Sequence, residues 1–295
     1  MKIAILITAY KDFGHISDII DCFDSRFNFY IHIDKKSKEN FSMLTNRPNV
    51  HLYRKYTVHW GSINHLKAAL LLATEAIEHE DNIYFHLISG QDFPVRPVSD
   101  FIQLDFSHDY LSSFPLPYLP WSPEGGMERY TYYHLYDLLD PKKPFQNMLI
   151  QFVYQLQRRL GVKRKLDIPE LAALYGGGLY WSLSRLTLSY VLEYTRHHPA
   201  FLNRLRYTWC AEEIYFQTIL LNSHYAESIK NTNLRYIDWK SGRGGYPAFL
   251  DESDYDAIKQ SKALFARKFD ARSQALKQQF QREHLLDKEK RLNNQ

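Results

Sequence analysis

The chain has 295 residues, of which 45% are hydrophobic and 24% are charged, and its formal net charge is +4. This is the composition of an ordinary globular protein, built as one large domain or as two closely joined halves. The mildly basic charge suits an anionic ligand or a membrane surface. Nucleic-acid binding is disfavoured, because no basic stripe is interleaved with stacking aromatic residues. Aromatic residues make up 15% of the chain, which suits either core packing or a surface that stacks on sugars.

The cysteines and the N-terminus indicate the compartment. Cys22 and Cys210 cannot form a disulfide framework, so we expect small buried hydrophobic residues at both positions. The start, MKIAILITAYKDFG, has too short an apolar part for a signal peptide, and no run is long enough to span a membrane. We therefore expect a soluble cytoplasmic protein, with peripheral contact at the inner face of the membrane left open.

The first third of the chain alternates strand and helix patterns. Apolar runs predict buried strands at residues 2–9, 27–33, 49–55 and 84–88. The apolar spacing after the first run predicts a helix. SINHLKAALLLATEAIEHE, with apolar residues spaced from Leu66 to Ile77, predicts a longer amphipathic helix with Ser62 as its N-cap. This alternation predicts an α/β fold, with a mostly parallel sheet and helices on both faces.

The rest of the chain has a different character. Residues 114–137 are rich in proline, glycine and aromatic residues and predict loops and short strands. FQNMLIQFVYQLQRRL predicts a helix, and the basic GVKRK after it suits a solvated face or, alternatively, phosphate or membrane contact. LYGGGLYWSLSRLTLSYVLEYTRHH predicts a glycine hinge, a short strand and a helix. A further helix near Ala211, a strand at NLRYIDW and a charged surface helix from Ala271 complete the prediction.

The fourth predicted strand ends in the turn Ser89-Gly90-Gln91-Asp92, which is a candidate ligand site. Ligands of open α/β sheets bind at the carboxyl ends of strands, where loops and helix N-termini meet. A sugar nucleotide held through a divalent ion requires two nearby carboxylates, and this turn supplies only Asp92. Another group would then have to neutralise the phosphates.

The only literal Asp-x-Asp sequence, Asp254-Tyr255-Asp256, lies far downstream. Ser253 followed by Asp256 resembles a capping box, and carboxylates are favoured in the first turn of a helix. We interpret this sequence as a helix start rather than a metal site. His59 and His65 lack a third ligand at useful spacing, so no metal site is predicted.

Glu212 and Glu213 are candidate catalytic carboxylates. Adjacent helical residues point about 100° apart, so this pair cannot flank one bond as the two carboxylates of a glycoside hydrolase do. Spacing alone leaves two alternatives open, which are complementation of a helix dipole and a single general base.

Arg235 in LRYIDW and Lys268 in LFARKFD are cations in apolar surroundings, where a charge is costly unless it is paired. A salt bridge and a diphosphate clamp both suit them, and spacing does not choose between the two.

Eight segments together resemble the core-2/I-branching β-1,6-N-acetylglucosaminyltransferases and the peptide O-xylosyltransferases. In the family's order over roughly residues 3 to 270, they are AILITAYK, FYIHIDKKS, VHWGSINHLKAALLLA, YFHLISGQDFPVRP, GGGLYWSLSRLTLSYVLE, AEEIYFQTILLNS, LRYIDW and LFARKFD. The resemblance implies a single GT-A-like domain over 1–270. It would consist of a nucleotide-binding lobe to about residue 115 and an acceptor and catalytic lobe, with the charged helix 271–295 following.

The resemblance also implies the donor site. In the core-2 branch an Arg and a Lys replace a metal at the diphosphate, so neither a divalent metal nor another cofactor is expected. Arg235 and Lys268 match these two cations, Asp34 matches the acid that reads the uridine, and Trp60 matches an aromatic residue beside the nucleotide. The implied nucleotide-binding residues are Asp34, Trp60, Ser89, Asp92, Arg235 and Lys268.

On the acceptor side, Glu213 matches the family's general base. AEE replaces the family's Pro-Asp-Glu, which keeps Glu212 as the alternative base. Glu128 and Arg129, in MERYTYYH, lie near the acceptor-binding segment and are the implied acceptor contacts.

The resemblance thus predicts an inverting, metal-independent transferase that forms a β-linkage. UDP-N-acetylglucosamine is the first donor expected and UDP-xylose the second. The family's cysteine-rich framework and membrane anchor have no counterpart, which implies a bacterial type acting on a surface polysaccharide or a lipid-linked oligosaccharide. The rival hypotheses are a non-catalytic glycan-binding module and, less favoured, a glycoside hydrolase.

Overall fold

The computed structural model describes residues 1–121, 124–165, 171–240 and 242–293. Within these residues the strands, numbered β1 to β10 in chain order, are Lys2–Ala9, Phe27–Ile33, Val50–Tyr53, Asn82–Ser89, Asp92–Pro94, Asp109–Pro115, Tyr175–Ser184, Ile229–Lys230, Arg235–Ile237 and Phe265–Arg267. The α-helices, numbered α1 to α10, are Phe13–Asp21, Ile63–Ile77, Val98–Ile102, Met127–Thr131, Pro144–Leu160, Arg185–His197, Pro199–Arg204, Tyr215–Leu221, Tyr255–Gln260 and Gln274–Asn293.

A seven-stranded sheet forms the centre of the molecule, in the order β3-β2-β1-β4-β7-β6-β8. The first four strands in that order are mutually parallel, β7 is antiparallel to both of its neighbours, and β8 is parallel to β6. Alternate residues of β1 enter two different cores. Ile5 packs with α1 and α10 on one face, and Leu6 packs with α2 and α6 on the other. The predicted α/β fold with helices on both faces is confirmed, whereas the division into two lobes stays a prediction.

A second sheet of three short strands, β5-β10-β9, brings distant residues together. β10 is antiparallel to β5 and parallel to β9, and the register places Arg267 opposite Asp92. Arg235 lies opposite Phe265 in the same sheet. Residues near 92, 235 and 265 therefore converge beside the carboxyl end of β4.

Two predictions about local structure are wrong. Gly176, Gly177 and Gly178 lie inside β7 rather than in a hinge. A Cβ at Gly177 would come within 1.9 Å of the Ser112 carbonyl oxygen, so glycine here permits a close backbone approach rather than bending. The prediction of loops and short strands over 114–137 is wrong only in part. Phe114 and Pro115 end strand β6, but the described residues after them form loops and short helices rather than further strands. Residues 122–123 lie outside the described residues.

Helix caps also differ from the prediction. Ser62 occupies the N-cap position of α2, but its side chain makes no capping hydrogen bond. The Asp137 carboxylate instead accepts the N–H of Ile63 at 2.7 Å and the N–H of Tyr207 at 2.8 Å. Because one carboxylate holds three segments, it fixes the loop around Tyr136 onto the start of α2.

The downstream capping box consists of Asp251 and Asp254 rather than Ser253 and Asp256. Asp254 also accepts two hydrogen bonds from Arg243, at 2.6 and 2.7 Å. The Asp-x-Asp sequence therefore lies at the start of a helix, as expected, but the capping box begins two residues earlier in the chain.

The predicted C-terminal helix is present as α10, but it is more than a surface helix. Its residues Leu276, Phe280 and His284 are buried, and the first two belong to the core that includes α1. An ion pair of 2.6 Å joins Lys277 to Asp18 of α1. Residues 294–295 lie outside the described residues.

Cys22 and Cys210 are free and buried, as expected. In the described ranges, no helix has both the length and the apolar character that crossing a bilayer requires. Over those same ranges, no group of three or more His, Cys, Asp or Glu side chains is placed to hold a metal ion.

Candidate active site

The carboxyl ends of the parallel strands meet at one edge of the central sheet. The N–H of Asp34, which follows β2, donates to the carbonyl of Ala9 at 2.8 Å, and the N–H of Gly90, which follows β4, donates to the carbonyl of Thr8 at 2.9 Å. The buried Asp34 carboxylate accepts main-chain N–H groups from Lys36 and Val58. Asp34 and the turn after β4 therefore lie on the same edge, where open α/β sheets bind ligands.

The turn after β4 fixes the orientation of Asp92. One carboxylate oxygen accepts the N–H of Ser89 at 2.7 Å and the Ser89 hydroxyl at 2.5 Å. The other oxygen is buried and has no hydrogen-bond partner among the described residues. Asp92 is itself fully buried, so its charge must be balanced by cations close by.

Two arginines supply that balance. Arg235 is buried, and its guanidinium donates to the carbonyls of Leu87, at 2.6 Å, and Asn233. Burial lowers the pKa of Arg235 to about 10, and Asp92 partly offsets that effect. Burial likewise lowers the pKa of Arg267, again partly offset by Asp92. Arg235 and Asp92, both predicted site residues, are thus brought together, with the Arg235 Nη groups bound to main-chain carbonyls.

Lys268 belongs to a group of cations beside this turn. Burial lowers its pKa, and the charges of Arg267, Lys11 and Lys142 lower it further. The ammonium groups of Lys11 and Lys142 lie 5.5 and 5.0 Å from the centre of the Tyr10 ring. None of the three lysines forms an ion pair with a described carboxylate.

A cavity of 270 Å³ lies next to this group, lined by Lys11, Gly90, Gln91 and Phe269 among others. Asp12 and Asp270 also line it, but Asp12 caps α1 and Asp270 is paired with Arg272 at 2.6 Å. The excess of unpaired positive charge makes the neighbourhood of Lys268 suitable for an anion such as a phosphate.

Glu213 ends the short 3-10 helix Ala211–Glu213. Its carboxylate accepts a hydrogen bond from Nη1 of Arg129 at 2.6 Å, and its side chain is 29% exposed. Burial raises the pKa of Glu213 to about 7, with the charge of Arg129 lowering it and that of Glu212 raising it. A carboxylate with this pKa can take up and release a proton near neutral pH, as a general base must.

Arg129 is itself held between two indole rings. Its guanidinium carbon lies 3.9 Å from the ring centre of Trp121 and 4.5 Å from that of Trp209. Glycines leave room for the rings, since a Cβ would come within 2.6 Å of Trp209 at Gly61 and within 2.4 Å of Trp121 at Gly126. Cation–π contacts with two rings therefore fix the partner of Glu213 in position.

Glu212 has a different environment from its neighbour. It is buried, and one oxygen lies 3.0 Å from Nδ1 of His65, whose Nε2 lies 3.2 Å from the Thr8 hydroxyl. Its other oxygen is buried without a hydrogen-bond partner among the described residues. Of the two adjacent carboxylates, Glu213 is the more accessible, which favours it over Glu212 as a base that meets a substrate.

The two predicted acceptor contacts, Glu128 and Arg129, are placed differently. Arg129 pairs with Glu213, whereas the Glu128 side chain is buried and forms no ion pair with a described residue. The carbonyl of Glu128 lies 3.0 Å from Nε2 of His134, so this residue organises α4 and the loop after it.

Trp60 lies on the Glu213 side of the site. It is 56% exposed, and it meets Trp209 and Tyr136 edge to face with centroids 5.7 and 6.2 Å apart. A cavity of 400 Å³ is lined by Trp60, Tyr136, Pro141, Lys142, Asn147, Gln151 and Trp209. Because Lys142 also lies over Tyr10, it connects this aromatic cavity to the cations around Lys268.

The model of Branch, the Core-2/I-Branching enzyme family, matches residues 3–259. The chain belongs to this family. It is 24% identical over 278 residues to xylosyltransferase sqv-6 of Caenorhabditis briggsae and 25% identical over 269 residues to xylosyltransferase 1 of Rattus norvegicus. Each match covers 82% of the chain but only 31% and 30%, respectively, of the relative. The chain therefore spans less than a third of the length of these curated relatives.

Sequence reasoning missed several residues at the site of this core-2/I-branching family member. Arg267 lies opposite Asp92 only because β5 pairs with β10, and no local sequence pattern predicts that pairing. Trp121 and Trp209 enclose an arginine from a different part of the chain. A signal was available for Lys142, because Lys142 and Lys143 directly precede a predicted helix in a segment without acidic residues.

Proposed function

We propose that this protein is an inverting glycosyltransferase, which moves a sugar from a UDP-sugar to a glycan acceptor and forms a β-linkage. One observation carries the proposal, namely a partly exposed Glu213 that has a pKa of about 7 and is paired with an immobilised Arg129. Membership of the core-2/I-branching family and the names of the xylosyltransferase relatives support it.

In the proposed reaction, the Glu213 carboxylate removes the proton from an acceptor hydroxyl. The acceptor oxygen attacks the anomeric carbon from the face opposite UDP, and the bond between that carbon and the phosphate oxygen breaks. UDP leaves with the electron pair of that bond, and its diphosphate gains negative charge. Preorganised cations around Lys268 stabilise this charge without having to reorient.

The donor site is proposed at the carboxyl edge of the sheet. Lys268 is the proposed direct partner of the diphosphate, without a divalent metal, because its ammonium has no described carboxylate partner. The Arg235 Nη groups donate to main-chain carbonyls, so we propose that Arg235 contributes its charge and the position of the turn. Asp34 is proposed to hold the uridine, since its buried carboxylate ends β2 at the same edge.

The proposal for the donor sugar rests on the names of the relatives, and the proposal for the acceptor rests on the aromatic cavity. The names of the relatives favour UDP-xylose, and UDP-N-acetylglucosamine is the second donor to test. The aromatic cavity beside Trp209 suits the apolar face of an acceptor sugar, which can belong to a polysaccharide or to a lipid-linked oligosaccharide. A cytoplasmic location at the inner face of a membrane would suit either acceptor.

Calorimetric titration of UDP into the protein, in buffer with excess EDTA, tests the donor site. We expect binding under these conditions, followed by UDP release from UDP-xylose or UDP-N-acetylglucosamine when an acceptor is supplied. Binding that requires added manganese would contradict the metal-free site and direct attention to Asp92. Glycan binding without UDP release from any donor would indicate a binding module, and release of reducing sugar without a nucleotide would indicate a hydrolase.

A further inference from the structure

The outer face of α5 is apolar and exposed to solvent. Phe145 is 73% exposed, Phe152 is 62% exposed, and four further apolar side chains of this helix are also exposed. The six are Phe145, Met148, Leu149, Phe152, Leu156 and Leu160. At about 100° per residue they fall within an arc of about 120°, which only Arg159 interrupts, near the C-terminal end. Soluble proteins rarely leave a continuous apolar face of this kind uncovered unless it meets a partner or a membrane.

The segment that contains α5 and its two flanks carries charge of a single sign, and the Glu124 carboxylate, from outside this segment, lies 3.3 Å from Arg158. Residues 141–165 contain seven basic and no acidic residues, whereas the whole chain has a net charge of +4, so the rest of the chain sums to −3. Lys142 and Lys143 precede the helix, and Lys163 and Lys165 follow it, all four exposed. The positive charge of the molecule is therefore concentrated at the two ends of its exposed apolar face.

The opposite face of α5 is fixed to the candidate active site. Ile150 and Gln157 are buried, and the Gln157 amide exchanges hydrogen bonds of 2.8 and 2.9 Å with the main chain of Tyr133. Asn147 and Gln151 line the aromatic cavity that also contains Trp60. One side of this helix is thus part of the site, and the other side presents an apolar surface outward.

We propose that the outer face of α5 binds the surface of an anionic lipid bilayer. With its 17 residues, α5 is about 25 Å long. A helix of this length with charged residues at both ends is not suited to span a bilayer, but it is suited to lie in the bilayer interface. The apolar side chains enter the acyl boundary, and the flanking lysines and arginines meet the negative headgroups. A second copy of this chain is a poorer occupant, because a self-contact would bring two segments of charge +7 together.

This arrangement places the aromatic cavity next to the bilayer, on the other side of one helix. If the proposed transferase activity is correct, an acceptor anchored in the lipid could present its sugar to Glu213 without leaving the membrane. Lipid binding itself does not depend on that activity, and the two can fail separately.

Co-sedimentation with lipid vesicles tests the proposal, using vesicles of phosphatidylcholine alone and vesicles that also contain phosphatidylglycerol. We expect the protein to sediment with the anionic vesicles and much less with the neutral ones. The double variant F145Q/F152Q should lower the partition coefficient at least about ten-fold, because two large apolar side chains no longer enter the bilayer. K163Q/K165Q should lower it by about ten-fold as well, since each cation near an anionic surface adds up to about five-fold.

Two control variants replace exposed apolar or basic residues at sites away from α5. L186Q/L285Q replaces two exposed leucines on α6 and α10, and K288Q/K290Q replaces two exposed lysines on α10, so both should leave sedimentation unchanged. All variants should keep the UDP affinity of the unmodified protein, which separates lipid binding from the donor site. The proposal is overturned if the unmodified protein stays in the supernatant, or if only the two control variants, L186Q/L285Q and K288Q/K290Q, reduce binding. A concentration-dependent dimer, seen by light scattering and lost in F145Q/F152Q, would also overturn it.

Discussion

The candidate site has a donor side, around Asp92, Arg235 and Lys268, and a base side, around Arg129 and Glu213. The two sides hold their charges in different ways. On the donor side, Asp92, Arg235 and Arg267 are fixed by main-chain hydrogen bonds and strand register, and the lysines beside them have no described carboxylate partner. On the base side, Arg129 forms an ion pair with Glu213 and also contacts the indole rings of Trp121 and Trp209. This difference favours anion binding on the donor side, whereas on the base side Arg129 already pairs with Glu213, which in the proposed reaction only has to exchange a proton.

Replacing Glu213 by Gln should have the largest effect, because the amide cannot accept the acceptor's proton. Transfer should fall by at least about a hundred-fold, the usual contribution of a general base, while UDP affinity stays within two-fold of the unmodified protein. Steady-state transfer rates and calorimetric UDP affinities measure the two quantities. The control is E212Q, since Glu212 faces His65, and it should lose much less activity. Loss in E212Q with full activity in E213Q would move the base to Glu212.

Replacing Arg129 by Met should change the pH dependence of transfer. With Arg129 present, transfer should rise as the pH increases through about 7, because Glu213 acts as a carboxylate and its pKa is about 7. Without the cation that lowers this pKa, the rising limb should move to higher pH by about one unit or more, and the rate at pH 7 should fall about five-fold or more. R129K should recover part of the rate, since it keeps the charge but loses the planar stacking.

The control for Arg129 is R206M, which removes an exposed arginine from the loop near Trp209. It should leave the pH profile unchanged. A profile that also stays unchanged in R129M, with normal thermal stability, would show that Arg129 does not tune the base.

Replacing Lys268 by Ala should weaken UDP binding by about ten-fold, because one charge-assisted hydrogen bond to the diphosphate is lost. Calorimetry over a range of salt concentrations should also show a smaller salt dependence. The matched variant is K262A, since Lys262 is exposed on the same stretch of chain and should have no effect. Equal affinities for K268A and the unmodified protein would remove Lys268 from the donor side.

The fold was predictable where a local pattern determines it. The apolar runs of β1 and β2 and the spacing of α2 specify elements that are buried, and the structure confirms their positions. Gly177 of β7 was misinterpreted because its role is close contact with Ser112, which is 65 residues away in sequence. The cap of α2 was missed for a similar reason, since Asp137 belongs to a distant loop.

The site was less predictable than the fold. Arg235 and Lys268 were found through a resemblance, because a cation in an apolar segment has the same local pattern whether it clamps a ligand or forms a salt bridge. The hydrogen bond from Arg235 to the Leu87 carbonyl depends on how the second sheet packs against β4, and residue spacing does not predict that packing. The same holds for Trp121 and Trp209, which contact Arg129 of α4 through tertiary packing.

Replacing Trp60 should have the smallest effect. It tests directly whether this residue belongs to the donor side or to the base side. The resemblance implies a contact with the nucleotide, whereas the ring lies against Trp209 and Tyr136 in the aromatic cavity. We expect W60A to raise the KM for the acceptor by about five-fold and to leave UDP affinity unchanged, because one stacking surface contributes about 1 kcal/mol. W239A, which removes another exposed tryptophan, should change neither quantity. If W60A instead weakens UDP binding at constant acceptor KM, Trp60 belongs to the donor side, and the aromatic cavity extends from the uridine to the base.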